Sequence, residues 1–502
     1  MARIHRNGKS KTANSRKAAR RRRAKRQLIN ADTLYELLSW FTSEVKLFAQ
    51  EEFHGNVKWL ANSLVCQALI WSWVETKNVT DAFEQSTEIC QRLELERPAK
   101  CYTTFINALH QYRDLFETRL RNRFQELAEK IAGSFWSHDG FVLLGFDGSR
   151  ATTPRSVSNE QAFCAPNYGK SSKARTRRKK AAAKIEAGQR KASKQPHPQV
   201  PQTWITMIWH MGLKIPWTWR LGPSNSCERH HVMEMVREEN FPENTLYCGD
   251  AGFVGYPLWH AIKKSGSNFL VRVGANVHLL SEYADILEKG GGIVLCWPKG
   301  QMNAGGTPLR LRLIQVKIGK KTKAWLLTSV LDTKRLPPSK MVAYYKMRWG
   351  IEVEFRGLKQ TLDKHKLRCR RSHRVLVELD WSIRAMAVAE LMALAQQIKQ
   401  HQSRKKKKEA EIAYDPKHRS LANTMRAIRW CMRSLEKECN GNDGLLEQLR
   451  DALVQKYNNS TDKKARYRPP NKDKKPLGDP NVRQMTDEER EKLRKTTGNL
   501  AA

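Results

Sequence analysis

Apolar residues in the first third of the chain recur at steps of three and four, the spacing of one face of an α-helix. Such series run over residues 34–48, 59–71 and 112–131. The pattern predicts a helical N-terminal domain over residues 31–137. Aromatic side chains in such helices are more often core than nucleobase platforms, so they receive no separate function.

The periodicity changes at Gly140. Residues 141–146 are a continuous apolar run of strand length, typical of a strand buried on both faces, and the run ends at Asp147. Asp147 is therefore predicted at the C-terminal edge of a buried strand, where α/β sheets keep their ligand chemistry. An Asp-Gly pair after a strand is also a common turn, and taken alone that ordinary role fits better.

A second aspartate repeats this arrangement. After an antiparallel hairpin predicted over residues 203–221 and a helix over 228–239, the short strand 245–249 ends at Asp250. Another helix follows and leads to a strand over residues 269–273. This is a mixed α/β layout, in which the two aspartates could converge at one edge of the sheet.

Residues 275–336 contain Gly-punctuated strand patterns and predict a β-rich insertion subdomain. The prolines that follow open a long helix, for which Ser339 would be the N-cap. Four polar side chains fall within roughly 60° of one another on that helix. They are Tyr345, Arg348, Glu352 and Lys359. Glu354 points the other way. Taken alone, such a stripe is more often a solvated face with ion pairs.

The formal net charge of +41 and the pI near 10 indicate a polyanionic partner, and nucleic acid rather than a membrane. The chain has neither a run of about 18 apolar residues nor an N-terminal segment of secretory type. Ten cysteines are scattered without a CxxC pair, which favours reduced thiols. We therefore expect a cytoplasmic, nucleoid-associated protein. Cys227, His230 and His231 lack a second cysteine pair, so a helix surface is expected there rather than a zinc site.

Several segments are too basic and polar to bury a core. Residues 1–30 predict a disordered basic arm, which either folds onto DNA or only solubilises the chain. Residues 170–200 predict a basic loop insert that contacts phosphates. A helical C-terminal region is expected over residues 401–462, and a disordered basic tail over residues 463–502.

Three carboxylates that could meet in a cationic protein indicate two hard divalent cations, Mg²⁺ with Mn²⁺ as a substitute. They are Asp147, Asp250 and Glu352. Two ions about 4 Å apart would activate an attacking water or hydroxyl and stabilise the leaving oxygen at phosphorus. Arg348 and Lys359 would then hold the flanking phosphates.

The helix carries a specific resemblance. Its tyrosine, arginine, glutamate and lysine have the complete spacing of the YREK signature of DDE transposases of bacterial insertion sequences, in the family numbered four. The FDGSR segment at Asp147 and the GDAGF segment at Asp250 resemble that family's two aspartate boxes. The resemblance covers roughly residues 140–395 and fails for the termini and for the insert at residues 170–194.

The resemblance implies an α/β fold with a ribonuclease-H-like mixed-sheet core over residues 138–274 and 337–400. The β-rich insertion at residues 275–336 would interrupt this core, and a helical DNA-binding domain would precede it. The implied activity is DNA cleavage at the ends of an insertion sequence and joining of the 3′ hydroxyls to target DNA. The implied partner is double-stranded DNA, bound by a homodimer.

The same resemblance assigns roles to individual residues. Catalysis and metal binding would fall to Asp147, Asp250 and Glu352. DNA contacts near the element end would come from Tyr345, Arg348 and Lys359. Either Trp297 or Trp325 could stack on a flipped base, although core packing is the more ordinary role for at least one of them.

Two alternatives stay open. The chain could be a DNA-binding protein of transposase descent that has lost catalysis, against which the intact carboxylates count. It could also be a ribonuclease-H-like DNA nuclease without strand transfer.

Overall fold

The computed structural model describes residues 32–42, 47–164, 200–318, 323–406, 415–436, 444–454 and 477–498, with residues 183 and 186–188. The basic arm at residues 1–30, nearly all of the insert at residues 170–200, and residues 455–476 lie outside the described residues. The expectations for those segments therefore stay predictions.

The helices, in chain order, are residues 32–42 (α1), Ala61–Trp73 (α2), Val79–Arg92 (α3), Tyr102–Gln111 (α4), Arg113–Ala132 (α5), Val157–Phe163 (α6), Glu228–Glu238 (α7), Tyr256–Lys264 (α8), Lys299–Asn303 (α9), Pro338–Met347 (α10), Gly350–Arg356 (α11), Ser372–Lys406 (α12), Leu421–Glu436 (α13), Leu445–Arg450 (α14) and Asp487–Gly498 (α15). A π-helix over Gly357–Thr361 follows α11. No helix of the described ranges is long and apolar enough to cross a membrane.

The strands are Val142–Thr152 (β1), Gln202–His210 (β2), Ile215–Gly222 (β3), Thr245–Gly249 (β4), Asn268–Val273 (β5), His278–Ser281 (β6), Gly291–Cys296 (β7), Leu309–Lys317 (β8), Lys323–Thr328 (β9) and Asn481–Gln484 (β10). They form one sheet in the order β10-β6-β7-β8-β9-β5-β4-β1-β2-β3.

The chain divides into two compact units. A helical unit comprises Met1–Ala132, Thr152–Ala162 and Arg356–Ser460, and a sheet unit comprises Gly133–Ala151, Phe163–Phe355 and Thr461–Ala502.

The helical unit is organised around α12, whose residues 375–395 are almost entirely buried. A helix that is apolar on all sides must be surrounded by others, and α2, α4, α5, α13 and α14 pack against it. The helices α1–α5 lie within residues 31–137, as the apolar periodicity predicts. Residues 356–400 were expected in the catalytic core, but the structure places them in the helical unit because α12 is buried among these helices.

The sheet unit contains a mixed sheet. β1 pairs with β4 and β4 with β5 in parallel, while β2 and β3 form the predicted antiparallel hairpin. The predicted β-rich insertion contains β6–β9, but these strands extend the same sheet, because β9 pairs antiparallel with β5. The insertion therefore does not form a sheet of its own.

The predicted disordered tail is wrong for residues 477–498. There β10 pairs in parallel with the edge strand β6, and α15 follows it. Met485 is buried in a small cluster with Leu280, Leu295 and Trp297. The tail is basic and polar overall, but this apolar contact and the strand pairing give its last part a fixed place.

Candidate active site

Asp147 and Asp250 lie side by side at one edge of the β1–β4 pair. The parallel pairing of β1 with β4 ends at Gly145 and Cys248, and Asp250 directly follows the last residue of β4. Since the carboxyl ends of adjacent parallel strands meet at the same edge of a sheet, the two aspartates come together there. The sequence places Asp147 at a strand end, whereas β1 continues to Thr152, so Asp147 lies within the strand but beyond its pairing with β4.

Each aspartate is held by a local backbone contact. Asp147 Oδ1 accepts a hydrogen bond from the amide of Gly148 at 2.8 Å, and Asp250 Oδ1 accepts one from the amide of Gly252 at 2.7 Å. Short contacts of this kind orient a carboxylate without neutralising it. One oxygen of each aspartate is thus already engaged by the backbone.

Glu352 reaches the same site from α11. Arg348 Nη2 lies 3.9 Å from Glu352 Oε1, and Arg348 Nη1 lies 3.8 Å from Asp147 Oδ2. The guanidinium therefore lies between a carboxylate of β1 and one of α11. Arg348 is only 6% exposed, so it faces the carboxylates rather than solvent.

The approach of α11 to the sheet depends on Gly350. A Cβ atom at this position would lie 2.1 Å from Cη2 of Trp209, a buried residue of β2. No side chain fits there, so glycine permits the close contact that brings Glu352 to the sheet edge.

The predicted long helix is interrupted. Helix α10 begins at Pro338 with Pro337 as its N-cap and no side-chain cap, so Ser339 does not cap it. Proline suits the first helical position because its amide has no partner to lose there. A turn at Arg348–Trp349 separates α10 from α11, and the two helices therefore do not form one continuous stripe.

The site concentrates negative charge. Burial, with Asp250 and Glu352 acting in the same direction, raises the pKa of Asp147 to about 6, while the amide of Gly148 and Arg348 act against this shift. Electrostatic effects fall off with distance, so both carboxylates lie within electrostatic range of Asp147. Asp147 and Asp250 thus share one sheet edge, and Arg348 pairs with both Asp147 and Glu352.

The other two residues of the signature are placed differently. Tyr345 is half-buried, and its ring centroid lies 5.7 Å from the Arg348 guanidinium carbon. Lys359 belongs to the helical unit and lies in the π-helix, where burial lowers its pKa. Glu354 is 6% exposed, whereas Glu352 has 36% of its side chain exposed, which agrees with their predicted opposite directions.

Neither candidate tryptophan presents its ring to solvent. Trp297 and Trp325 are each 4% exposed. The indole N–H of Trp297 donates to the carbonyl of Gly306 at 2.7 Å, and that of Trp325 donates to Asp479 Oδ1 at 2.7 Å. Both are packed as core residues here, which gives a base-stacking role no support.

Two further residues of this region, Trp349 and Glu228, are not predicted as functional from the sequence. Trp349, between Arg348 and Glu352, is 59% exposed. An exposed tryptophan is unusual, but nothing in the local pattern distinguishes it from a buried one. Glu228, the first residue of α7, interacts electrostatically with Asp147 and Asp250. It begins an ordinary amphipathic helix, so no periodicity marks it.

Carboxylate oxygens are the donors that Mg²⁺ and Mn²⁺ prefer, so the donor set fits these ions. Within the described ranges, no three His, Cys, Asp or Glu groups are close enough together to hold an ion as they stand. Arg348 lies between Asp147 and Glu352 instead. Binding of a cation by these carboxylates would therefore require their side chains to reorient.

Comparison with known proteins shows a match to transposases over part of the chain. Residues 212–388 match the family "Transposase DDE domain". The match includes Asp250 and the Arg348–Glu352 segment but begins after Asp147. The transposase InsG of insertion sequence element IS4 from Escherichia coli K12 is 30% identical over 173 residues, which are 32% of this chain and 37% of that protein.

A solved structure, a piggyBac transposase synaptic complex with hairpin DNA, aligns over 86% of this chain and 87% of that chain. It shares 13% identity at a TM-score of 0.37, a likeness too weak to carry an argument. The stretch that matches InsG covers 37% of the length of that protein. Over residues 212–388, the chain is similar to the DDE domain of transposases.

Proposed function

We propose that this protein is a DNA transposase that cuts an insertion sequence at its ends and joins the 3′ hydroxyls to target DNA. The observation that carries the proposal is that Asp147 and Asp250 share one sheet edge, while the buried Arg348 pairs with both Asp147 and Glu352. The family match over residues 212–388 points to the same chemistry.

The sheet supports a ribonuclease-H-like core. The order β3-β2-β1-β4-β5 joins an antiparallel hairpin to three strands that pair in parallel, and the first two of the parallel strands carry the aspartates. In this proposal β6–β9 are an insertion that continues the core sheet before α10 and α11 return the chain to its edge.

In the proposed mechanism Asp147, Asp250 and Glu352 would hold two magnesium ions. When bound, these ions would activate a hydroxyl nucleophile and stabilise the leaving oxygen at phosphorus. The protein's own contribution is positional. The amides of Gly148 and Gly252 orient the aspartates, and the close contact at Gly350 sets the distance of Glu352 from them.

The protein must also attract and align DNA. The net charge of +41 provides the general attraction to phosphates. In the segment that carries Glu352, Trp349 and Val353 are 59% and 53% exposed and are four residues apart. They offer an apolar contact to the DNA next to the scissile phosphate, while Tyr345 and Lys359 remain candidates for phosphate contacts. We also propose that two copies act together on two DNA ends.

The test uses two substrates: a duplex that contains an uncut element end, and one with a pre-cleaved 3′ end plus target DNA. The proposal expects Mg²⁺-dependent cleavage of the first and joining of the second. Glu352→Gln should abolish both reactions and keep DNA binding. Glu243→Gln, an exposed carboxylate of the sheet unit, should leave both unchanged.

The alternatives give different results in these assays. Cleavage without joining would replace the proposal with a nuclease. DNA binding with neither reaction would identify a protein that has lost catalysis. Equal loss in Glu352→Gln and Glu243→Gln would refute the assignment of the site.

A further inference from the structure

A fourth carboxylate lies against the proposed metal site. Glu228 begins α7, and a Cβ atom at Gly148 would lie 2.3 Å from Glu228 Oε1 and 2.4 Å from its carboxyl carbon. The Glu228 carboxylate thus fills the space that a side chain of residue 148 would take. It lies beside β1, next to the backbone that directly follows Asp147.

Within the described ranges, the Glu228 carboxylate has no cation within ion-pair distance and no hydrogen bond. The nearby Arg150 places its guanidinium carbon 4.0 Å from the ring centroid of Trp204. Burial, with Asp147 and Asp250 acting in the same direction, raises the pKa of Glu228 to about 7, while Arg150 acts against this shift. A half-buried carboxylate beside two others is unfavourable unless a cation joins them.

A second feature indicates that the site takes a ligand. Arg348 is 6% exposed, and its Nε and Nη1 atoms lack a hydrogen-bond acceptor within the described ranges. Its only charged neighbours there are Asp147 and Glu352, both nearly 4 Å away. A buried guanidinium with unused donors fits an anionic ligand, such as a phosphate bound together with cations.

We infer that Glu228 belongs to the metal site, where it helps Asp147 and Asp250 to hold a divalent cation at the β1–β4 edge. The inference rests on the proposed function for the identity of the site. It adds a residue that lies outside the two aspartate boxes and the helical signature. Glycine at position 148 is then required because any side chain would displace this carboxylate.

The opposing explanation is structural. An acidic residue in the first turn of a helix stabilises that helix through its dipole, whether or not a metal binds. Removing its charge would then weaken α7 and leave metal affinity unchanged. The two explanations are therefore separated by a direct measurement of metal binding rather than by activity.

The test measures Mn²⁺ binding to the full chain by calorimetry and by electron paramagnetic resonance, with and without an end-containing duplex. Glu228→Gln should weaken Mn²⁺ binding about tenfold or more. Glu234→Gln, an exposed carboxylate of the same helix, should bind as the wild type does. Gly148→Ala should weaken binding although it removes no carboxylate, because its Cβ displaces Glu228.

Wild-type affinity in Glu228→Gln, or wild-type protein that binds no Mn²⁺ with or without DNA, would overturn the inference. Thermal melting and DNA binding check that each variant is folded. If Glu228→Gln loses Mn²⁺ while the wild type neither cuts nor joins DNA, only the proposed function fails. If the wild type cuts and joins DNA and Glu228→Gln binds Mn²⁺ normally, only the role of Glu228 fails.

Discussion

Arg348 is bound to Asp147 through an ion pair in which Nη1 lies 3.8 Å from Oδ2, and the arginine is almost completely buried. A second ion pair at 3.9 Å joins it to Glu352. A residue expected to hold DNA phosphate is thus engaged by the carboxylates in the DNA-free chain. Its positive charge reduces the repulsion between groups that must approach one another to hold cations.

The position of Arg348 predicts which property its removal changes. Because Arg348 lowers the pKa of Asp147, Arg348→Ala should raise that pKa further above about 6 and move the acid limb of the pH–rate profile upward. Because its unused donors fit a phosphate, the slope of DNA affinity against salt should also become shallower by about one unit. Lys346→Ala, an exposed neighbour, should leave the pH profile unchanged. An unmoved pH profile in Arg348→Ala would contradict the effect of Arg348 on Asp147, and an unchanged slope would contradict the phosphate contact.

The ionised Asp147 carboxylate should destabilise the folded protein at neutral pH. Its folded pKa of about 6 lies above the ordinary value of 3.8, so the folded state binds more protons than the unfolded state between these values. The free energy of unfolding therefore falls by at most about 3 kcal/mol as pH rises from about 4 to about 6, and this contribution is constant above that range.

Asp147→Asn should accordingly raise the melting temperature at pH 8 and leave it nearly unchanged at pH 3, while it abolishes cleavage. Scanning calorimetry at both pH values measures the difference. Mg²⁺ at pH 8 should raise the melting temperature of the wild type more than that of the variant. A variant that is destabilised at pH 8 would contradict the argument from crowded carboxylates.

Gly350→Ala should impair catalysis by moving Glu352 away from the sheet edge. The new Cβ would overlap the ring of Trp209, so α11 must move away from the sheet and take Glu352 with it. Cleavage should fall more than tenfold, since small misplacements of catalytic groups are costly, while DNA binding is retained. Gly300→Ala, which has open space around it, is the matched control.

A second change tests this cause. Trp209→Phe removes the ring atoms nearest to the added Cβ, so the double variant with Gly350→Ala should recover part of the lost activity relative to Gly350→Ala alone. No recovery would mean that Gly350 acts through something other than its contact with Trp209.

Trp349 should contribute to DNA binding directly. Trp349 lies exposed in the turn before the helix that carries Glu352, and stacking of a base or sugar on such a ring contributes about 1–3 kcal/mol. Trp349→Ala should therefore weaken binding to an end-containing duplex by about tenfold, measured by fluorescence anisotropy. Tyr283→Ala, a 63% exposed aromatic of the sheet unit, should have a smaller effect. Similar losses in both variants would argue against a specific role for Trp349.

Local sequence patterns single out the three carboxylates because each has a local signal. Asp147 and Asp250 follow apolar strand patterns, and Glu352 has a fixed spacing from Tyr345, Arg348 and Lys359. The burial of Arg348 could not be predicted in this way, since it depends on the contact between α11 and β1. Glu228 was missed for the same reason: only the folded chain places it beside Gly148.

The burial of Trp297 and Trp325 depends on a segment far along the chain, so local sequence patterns do not predict it. Trp325 donates to Asp479, and Trp297 packs with Met485, although more than 150 residues separate each pair. Composition alone predicts a disordered tail because the segment is rich in Lys and Pro. Its apolar residues are too few to form a pattern that would predict a strand or a helix. Long-range partners of this kind are where reasoning from local pattern fails.

The place of β10 bears on how the protein is made. Strand β6 pairs with β7 on one side, and its other side is paired by Asn481–Gln484, about 200 residues further along the chain. A ribosome must therefore synthesise this long intervening segment before that side of β6 can be covered, and a product that terminates earlier would expose an unpaired strand. Such an edge is a template for association with other chains, so incomplete translation products of this protein should tend to aggregate.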